Sequence, residues 1–453
     1  MAPSSEEARK IVDMFRLGPC RLRSRRPCGF LTCALVAIAA APGGAVAQLL
    51  GPEFQVNSYT TGTQSYPRVA ADPAGRFVVV WRSDGQDGSE EGAFGQRFDA
   101  DDAPEGTEFQ LNESTAGRQL GARVAKAADG SFVVTWSDIS SSPRRVPARR
   151  FDAAGLPLGG EFQVNSDTSL LDAGAIDVAF DAAGNFVILW YFRRGILSET
   201  GGAGQRFDSA GQPVGSEFSV GPGGFMGHGL YGPDSLAMTG PGEFVVGQKL
   251  EYGGYPGPSL YSPAVQRFDE AGRVGDQILV QSSTTMSAPW PVRVASAGAG
   301  EFVVTWSAYE YYGWGPNQVF ARRYDEGGAP RGEMFAVGNS PSAQIAPVVA
   351  ADKRGNFLVV WASEGELFGK RYAADGSVIG TEFQVNSYTT GVQSSHSVAA
   401  GKVGDFIVSW QSDGQDGSSK GVFARRIRSS IFWGGFELGD PCGWSTVVGG
   451  GCS

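Results

Sequence analysis

Histidine is almost missing from this chain: His228 and His396 are the only two in 453 residues. A histidine-based nucleophilic centre or a His-ligated zinc site has very little to draw on. Cysteine is scarce too, with five in all, and three of them (Cys20, Cys28, Cys33) fall within residues 1–47. That excludes a disulfide-dense scaffold. The apolar run from Phe30 to Ala41 is only about a dozen residues long, short of the roughly 20 that a spanning helix needs. Basic charge is also in deficit, with 37 Lys and Arg against 47 Asp and Glu and a net charge of −10. Such a surface repels nucleic acid and anionic membranes.

The first 47 residues read as an export signal. Arg21, Arg23, Arg25 and Arg26 precede the apolar run, and Ala45-Val46-Ala47 supplies the small residues of a cleavage site, so cleavage is expected before Gln48. General secretion is the expected route, and no integral membrane segment remains after cleavage. Removing this segment takes away seven of the 37 basic and three of the 47 acidic residues, which leaves 30 against 44 and a net charge of −14. Cys442 and Cys452 are then the only cysteines, and in an oxidising compartment they are expected to form a disulfide.

What the chain has in quantity is glycine, 66 residues without a collagen period, alongside many Val, Phe and Trp. That composition points to many short strands joined by tight turns. Self-similarity explains it. A Phe-Val-Val-Val-Trp strand recurs at Phe77–Trp81, Phe132–Trp136, Phe186–Trp190, Phe244–Gln248, Phe302–Trp306, Phe357–Trp361 and Phe406–Trp410, with spacings of 55, 54, 58, 58, 55 and 49. Seven residues before each Phe stands Ala (70, 125, 179, 237, 295, 350, 399), and two before it stands Gly (75, 130, 184, 242, 300, 355, 404). The Gly, following an Asp or small-residue cluster, is the chemistry of a hairpin turn that needs a positive φ.

A third strand ends in Arg97-Phe98, Arg150-Phe151, Arg206-Phe207, Arg267-Phe268, Arg323-Tyr324, Arg371-Tyr372 and Arg426-Ile427. A fourth is typified by Glu53-Phe54-Gln55-Val56-Asn57 and recurs around Phe109, Phe162, Phe218, Ile278, Phe335 and Phe383. Four strands per repeat, seven times, predict an all-β fold: a seven-bladed β-propeller of four-stranded antiparallel blades over residues 48–428. The Val-rich strand, apolar in both parities, belongs in the middle of a blade between its neighbours. The alternating Glu-Phe-Gln-Val-Asn strand belongs outside, and the Ala-bearing strand innermost, where the blades converge. The chain opens with an outer-type strand and ends with a third-type strand, so the N-terminal strand should complete the last blade and close the ring. Residues 429–453 form a C-terminal tail carrying the cysteine pair.

The combination of Phe-Val-Val-Val-Trp, Ser-Asp-Gly-Gln-Asp-Gly, Arg-Phe-Asp and Glu-Phe-Gln-Val-Asn resembles the tandem repeats of secreted or surface bacterial β-propeller-like proteins over residues 52–428. Gly435-Phe436-Glu437 through Trp444-Ser445 resembles a short C-terminal motif of exported bacterial proteins. Neither resemblance carries catalytic residues or an activity across.

An arginine present in all seven copies belongs to the scaffold, hydrogen-bonded or Trp-stacked between strands, since a site needs it once. The Trp column reads the same way. His396 falls at the start of an inner strand, with a packing or channel-lining role, and His228 lies in a Gly-rich loop. Ser83-Asp84-Gly85-Gln86-Asp87-Gly88-Ser89 recurs as Ser412 to Ser418, which puts Asp84, Asp87, Asp413 and Asp416 on loops of blades that ring closure makes neighbours. Calcium is the one candidate ion for them, but each loop offers two carboxylates where calcium takes six to eight oxygens, so a polar turn is the default and no cofactor is expected. Blades 4 and 5 break the pattern: Gln248 replaces Trp, and long loops carry Tyr231, Tyr252, Tyr255, Trp290, Tyr309, Tyr311, Tyr312 and Trp314. These aromatics form the candidate ligand-binding face. The leading reading is an exported, non-catalytic binding protein for a glycan or protein ligand. The alternatives are a polysaccharide-acting enzyme using carboxylates and a structural envelope protein.

Overall fold

Seven left-handed glycines set the rhythm of the chain. Gly75 (φ +87°), Gly130 (+92°), Gly184 (+83°), Gly242 (+67°), Gly300 (+80°), Gly355 (+82°) and Gly404 (+80°) each sit in the turn between the first and second strand of a repeat. In the first copy the turn is closed by Gly75 N–H to Asp72 O at 2.9 Å and Asp72 N–H to Arg76 O at 2.9 Å. A Cβ at such φ values is strained, so the column stays Gly. The computed structural model describes residues 49–195, 199–221, 224–225, 233–252, 260–281, 286–287, 291–310 and 316–428, and among these there is no helix.

In blade 1 the inner strand Gln64–Ala71, the middle strand Phe77–Asp84, the third strand Glu91–Phe98 and the outer strand Phe109–Gln110 pair in that order. The register sets Phe77 opposite Phe98 and Trp81 opposite Phe94. All seven sheets repeat this antiparallel order, so the chain is a seven-bladed β-propeller. The seventh sheet takes Gln393–Ala400, Phe406–Asp413 and Lys420–Arg428 from the end of the chain and Leu49–Gln55 from its start. Glu53 faces Arg425, Phe54 faces Ala424 and Gln55 faces Phe423. The opening strand therefore closes the ring, as the phase of the repeat predicts.

The cores lie between blades. Phe77, Val79 and Trp81 pack with Ile407, Val422 and Ala424 of blade 7, whereas Val78 and Val80 pack with Val124, Val134 and Trp136 of blade 2. Both parities of the middle strand are buried, which is why it is apolar throughout. The six tryptophans (81, 136, 190, 306, 361, 410) are fully buried. Truncating any of them to Ala should cost about 3–5 kcal/mol. The Ala column lies on the inner strands, but the crowding that keeps it small comes from the next blade: Ala70 is buried against Ala122 and Val124.

The repeated arginine clasps one blade to the next all the way round. Arg97 Nη1 donates to Ala153 O (2.8 Å), Arg150 Nη2 to Ser209 O (2.6 Å), Arg267 Nη1 to Gly327 O (2.8 Å) and Arg323 Nη1 to Ala374 O (2.7 Å). Arg206 reaches Asp269 O, and Arg371 reaches Arg428 O at 3.2 Å. Arg426 crosses the closure to Asp102 Oδ1 (2.7 Å) and Gly75 O (3.0 Å). The scaffold role holds. The rings that these guanidinium groups cover are Phe rather than Trp: Phe218 and Phe244 for Arg206, Phe406 for Arg371, and Phe77 for Arg426. Outer-strand glutamates tie the blades in the other direction, Glu108 accepting from Ser58 N–H (2.7 Å) and Glu382 from Asn339 N–H (3.1 Å).

Candidate functional site

Along the ring axis the repeat stops repeating. The residue two before each unvarying Ala is Arg68, Arg123, Asp177, Ser235, Arg293, Val348 and Ser397 in blades 1 to 7. These seven side chains, with His396, line a cavity of about 200 Å³ at the centre of the ring, whose remaining wall is Val and other aliphatic residues. A local irregularity puts them there. The inner-strand register shifts immediately before this residue in six blades, between Ser65 and Arg68, Leu120 and Arg123, Ala175 and Asp177, Pro233 and Ser235, Ile345 and Val348, and Ser394 and Ser397. Tyr66, Ala346 and Ser395 take up the shift at φ of +56°, +54° and +52°. Bulges of this kind re-aim the side chains that follow them.

Part of this column stitches neighbouring blades. Asp177 Oδ2 accepts from Leu236 N–H at 2.9 Å, Ser235 Oγ accepts from Val294 N–H at 3.0 Å, and Ser397 Oγ accepts from Val69 N–H at 3.3 Å. Arg123 donates Nε to Ile176 O at 2.6 Å and Nη1 to Gly121 O at 2.9 Å. Among the described residues, Arg68 bonds only within its own strand, Nη1 to Pro67 O at 2.8 Å. The lining thus holds three guanidinium groups and, among the described residues, one carboxylate.

Burial in the ring lowers Arg68 well below the ordinary guanidinium range, and repulsion from Arg123 and Arg293 adds to it while Asp177 opposes. Arg123 falls to about 10, chiefly by burial, with Asp177 holding it up. A guanidinium still keeps its proton at neutral pH. Asp177 is raised by burial, against the pull of the Leu236 amide, Arg123 and Arg293. His396 is lowered to about 4, first by burial, with the carbonyls of Val360 and Ala346 opposing and Arg68 reinforcing the effect. Neither of its ring nitrogens is in hydrogen-bond geometry with a protein group. The imidazole is therefore neutral at pH 7, and the channel carries excess positive charge inside an acidic protein.

Asp84, Asp87, Asp413 and Asp416 are not among the residues that line this channel. Asp87 accepts from Ser89 N–H (3.1 Å), Asp416 from Ser418 N–H (3.0 Å), and Asp413 pairs with Lys420 at 3.5 Å. Asp84 ends the middle strand of blade 1, with its backbone N–H on Thr63 O at 3.0 Å. Ser418 Oγ of the blade 7 loop donates to Gly62 O, in the segment that enters blade 1, at 2.9 Å. Among the described residues no three His, Cys, Asp or Glu side chains converge as metal ligands. Tyr231, Tyr255, Trp290, Tyr311, Tyr312, Trp314, His228, Cys442 and Cys452 lie outside the described residues, as does the export segment 1–47. Tyr252 and Tyr309 fall in the middle strands of blades 4 and 5, Glu243–Tyr252 and Glu301–Glu310. Both strands run toward the end of the ring at which the inner strands begin. Gln248 is buried where Trp stands elsewhere, its Nε2 without a partner among the described residues.

The channel column went unread in the sequence, although its signal is there: charged residues in an inner strand otherwise built of Val and Ala. No protein-family model matches the chain, and no curated protein does. Among solved structures it is similar to a protein of unknown function from Dyadobacter fermentans, at 12% identity and a TM-score of 0.51, over 85% of this chain and 99% of that one. It also matches the β-propeller domain of the Trilobed protease from Pyrococcus furiosus, at 10% identity and a TM-score of 0.48, over 81% and 94% of the two chains. A third match is the polysaccharide lyase Uly1, at 10% identity and 0.48, over 79% and 90%. At these identities the likeness is one of fold.

Proposed function

We propose that this chain is an exported, non-catalytic binding propeller whose ligand, a glycan or a protein, is received at the end of the ring where the inner strands begin. One observation carries the reading: in a scaffold whose Ala, Gly, Arg and first Phe columns repeat seven times, the axial column changes from blade to blade and is charged or polar in six of the seven. Deviation from a repeated frame is where a specific role is placed. The long aromatic loops of blades 4 and 5 follow middle strands that end on that same side, and Tyr and Trp rings suit stacking on sugars or anchoring a protein. The basic and apolar run before Gln48 supports export.

The test is retention of the mature protein on a glycan array and on a cell-wall fraction. Replacing Tyr311, Tyr312 and Trp314 with Ala should abolish retention while leaving the melting midpoint nearly unchanged. A wild-type protein that binds nothing, or a triple variant that unfolds, removes the reading. A second reading, a polysaccharide-acting enzyme, is favoured by Asp177, a carboxyl raised by burial in the channel. Turnover of a polysaccharide that is lost in Asp177→Asn would establish it over the first.

A further inference from the structure

We propose that the axial channel is a binding site for a small carboxylate-bearing anion, seated by the guanidinium groups of Arg68, Arg123 and Arg293. The inference deepens the binding reading above by assigning its site a ligand class. Three guanidinium groups line one cavity of about 200 Å³ with Asp177 as the one carboxylate among the described lining residues, and Asp177 is already tied to Leu236 N–H at 2.9 Å. Each like charge added to a confined, partly desolvated space disfavours the others unless an anion joins them. Blade 6 carries Val348 in the same column, so the frame does not require a cation there.

Among the described residues, Arg68 Nε and Nη2 and Arg123 Nη2 make no hydrogen bond, after the backbone bonds described above. These planar donor edges match the two oxygens of a carboxylate. His396 adds an imidazole 5% exposed to the same lining, with the Val360 and Ala346 carbonyls nearby but neither nitrogen in hydrogen-bond geometry with a described protein group. Between the charged heads the wall is aliphatic, including Val69, Val124 and Val294, which suits a carbon skeleton over a bare inorganic ion. Size and charge restrict the ligand further. The cavity admits a few waters or one small organic anion, and the mature chain, with 30 basic against 44 acidic residues, repels a long polyanion before it reaches the axis. A carboxylate of this kind is carried by a small free acid and by a uronic acid at the end of a glycan, and the two are separated experimentally.

Calorimetry on the mature protein with malonate, galacturonate, a galacturonate oligomer, neutral galactose and inorganic phosphate tests the site. Malonate and galacturonate should bind, weakening as salt rises, and galactose should not. Phosphate binding tighter than both carboxylates overturns the carboxylate assignment. Arg68→Val, the residue blade 6 uses in this column, should weaken malonate about tenfold or more. It should also leave the anion-free melting midpoint unchanged or raised. Arg293→Val is the independent second variant, and malonate raising the wild-type midpoint above chloride at equal ionic strength needs no variant at all. Absent binding of both carboxylates at millimolar concentration, or a variant that destabilises the protein and leaves binding intact, overturns the site. Galacturonate oligomer binding tighter than the monomer and malonate assigns the source to a glycan chain end, and malonate or monomer binding tighter than the oligomer assigns it to a free acid. If no anion binds while glycans are retained on the array, the channel site falls and the binding reading stands; if anions bind and no glycan or protein is retained, the reverse holds.

Discussion

His396 makes the stability of the ring depend on acid in a direction that can be worked out beforehand. The imidazole is 5% exposed, and burial together with the nearby Arg68 and Arg293 guanidinium groups lowers its pKa from 6.5 to about 4, against the two opposing carbonyls. The folded value lies below the unfolded one, so between them the unfolded chain binds the proton more tightly. The contribution to stability is full above pH 6.5, declines as pH falls, and is lost by about pH 4. At about 1.4 kcal/mol per pKa unit the whole loss is about 3 kcal/mol, most of it by pH 4.5. For a propeller of this size, about 3 kcal/mol moves the midpoint by about 3–4 °C.

The perturbation is His396→Leu, since the equivalent position holds Ile176 in blade 3 and Val292 in blade 5. The assay is the difference in melting midpoint between wild type and variant from pH 7.5 to pH 4.5. Other titrating groups cancel in that difference. Asp177, raised by burial, works in the opposite sense, its ionised form disfavouring the fold as pH rises, and it is present in both proteins. The variant should gain on the wild type by about 2–3 kcal/mol as the pH is lowered over this range. Parallel curves, with a constant difference at every pH, would refute the neutral buried imidazole and the account of the channel built on it.

Three further outcomes follow from the fold. Deleting residues 48–58 takes the outer strand from blade 7 and should lower the melting midpoint sharply, and a truncated protein that melts like its parent would contradict the closure seen between Leu49–Gln55 and Lys420–Arg428. Arg323→Ala removes the donor to Ala374 O and should cost about 1–2 kcal/mol by urea denaturation, whereas no measurable loss would make the clasp ornamental. Cys442 and Cys452 should form a bridge adding about 2–3 kcal/mol locally, and intact mass after alkylation without reductant decides it, two labelled thiols in exported material being the contrary result.

The blade order was legible because its constraints act on single residues. A strand buried on both faces must be apolar at every position, and a turn at φ near +80° must be Gly, so Phe77–Trp81 and Gly75 announce themselves. What the arginine column touches was not legible, because Arg97 and Ala153 meet between adjacent blades, 56 residues apart in the chain. His396 was read as packing or channel-lining, and it lines the channel, but the column of Arg68, Arg123, Asp177 and Arg293 was missed for a related reason. Repeat comparison rewards columns that stay the same, and the axial column is the one that changes. The bulges that aim it were hidden too, since Tyr66, Ala346 and Ser395 hold positive φ without the residue type that such a backbone favours.

Ring closure has a kinetic consequence. Leu49–Gln55 pairs with Lys420–Arg428, so the first strand of the propeller to be synthesised is the last to find its partner. Until residue 428 has emerged, the nascent chain carries an unpaired edge at one end and an incomplete blade at the other. Such edges invite pairing with other chains, and contacts this distant in sequence form slowly. Folding therefore finishes only after residue 428 has been synthesised, and the ring closes as one late step rather than blade by blade.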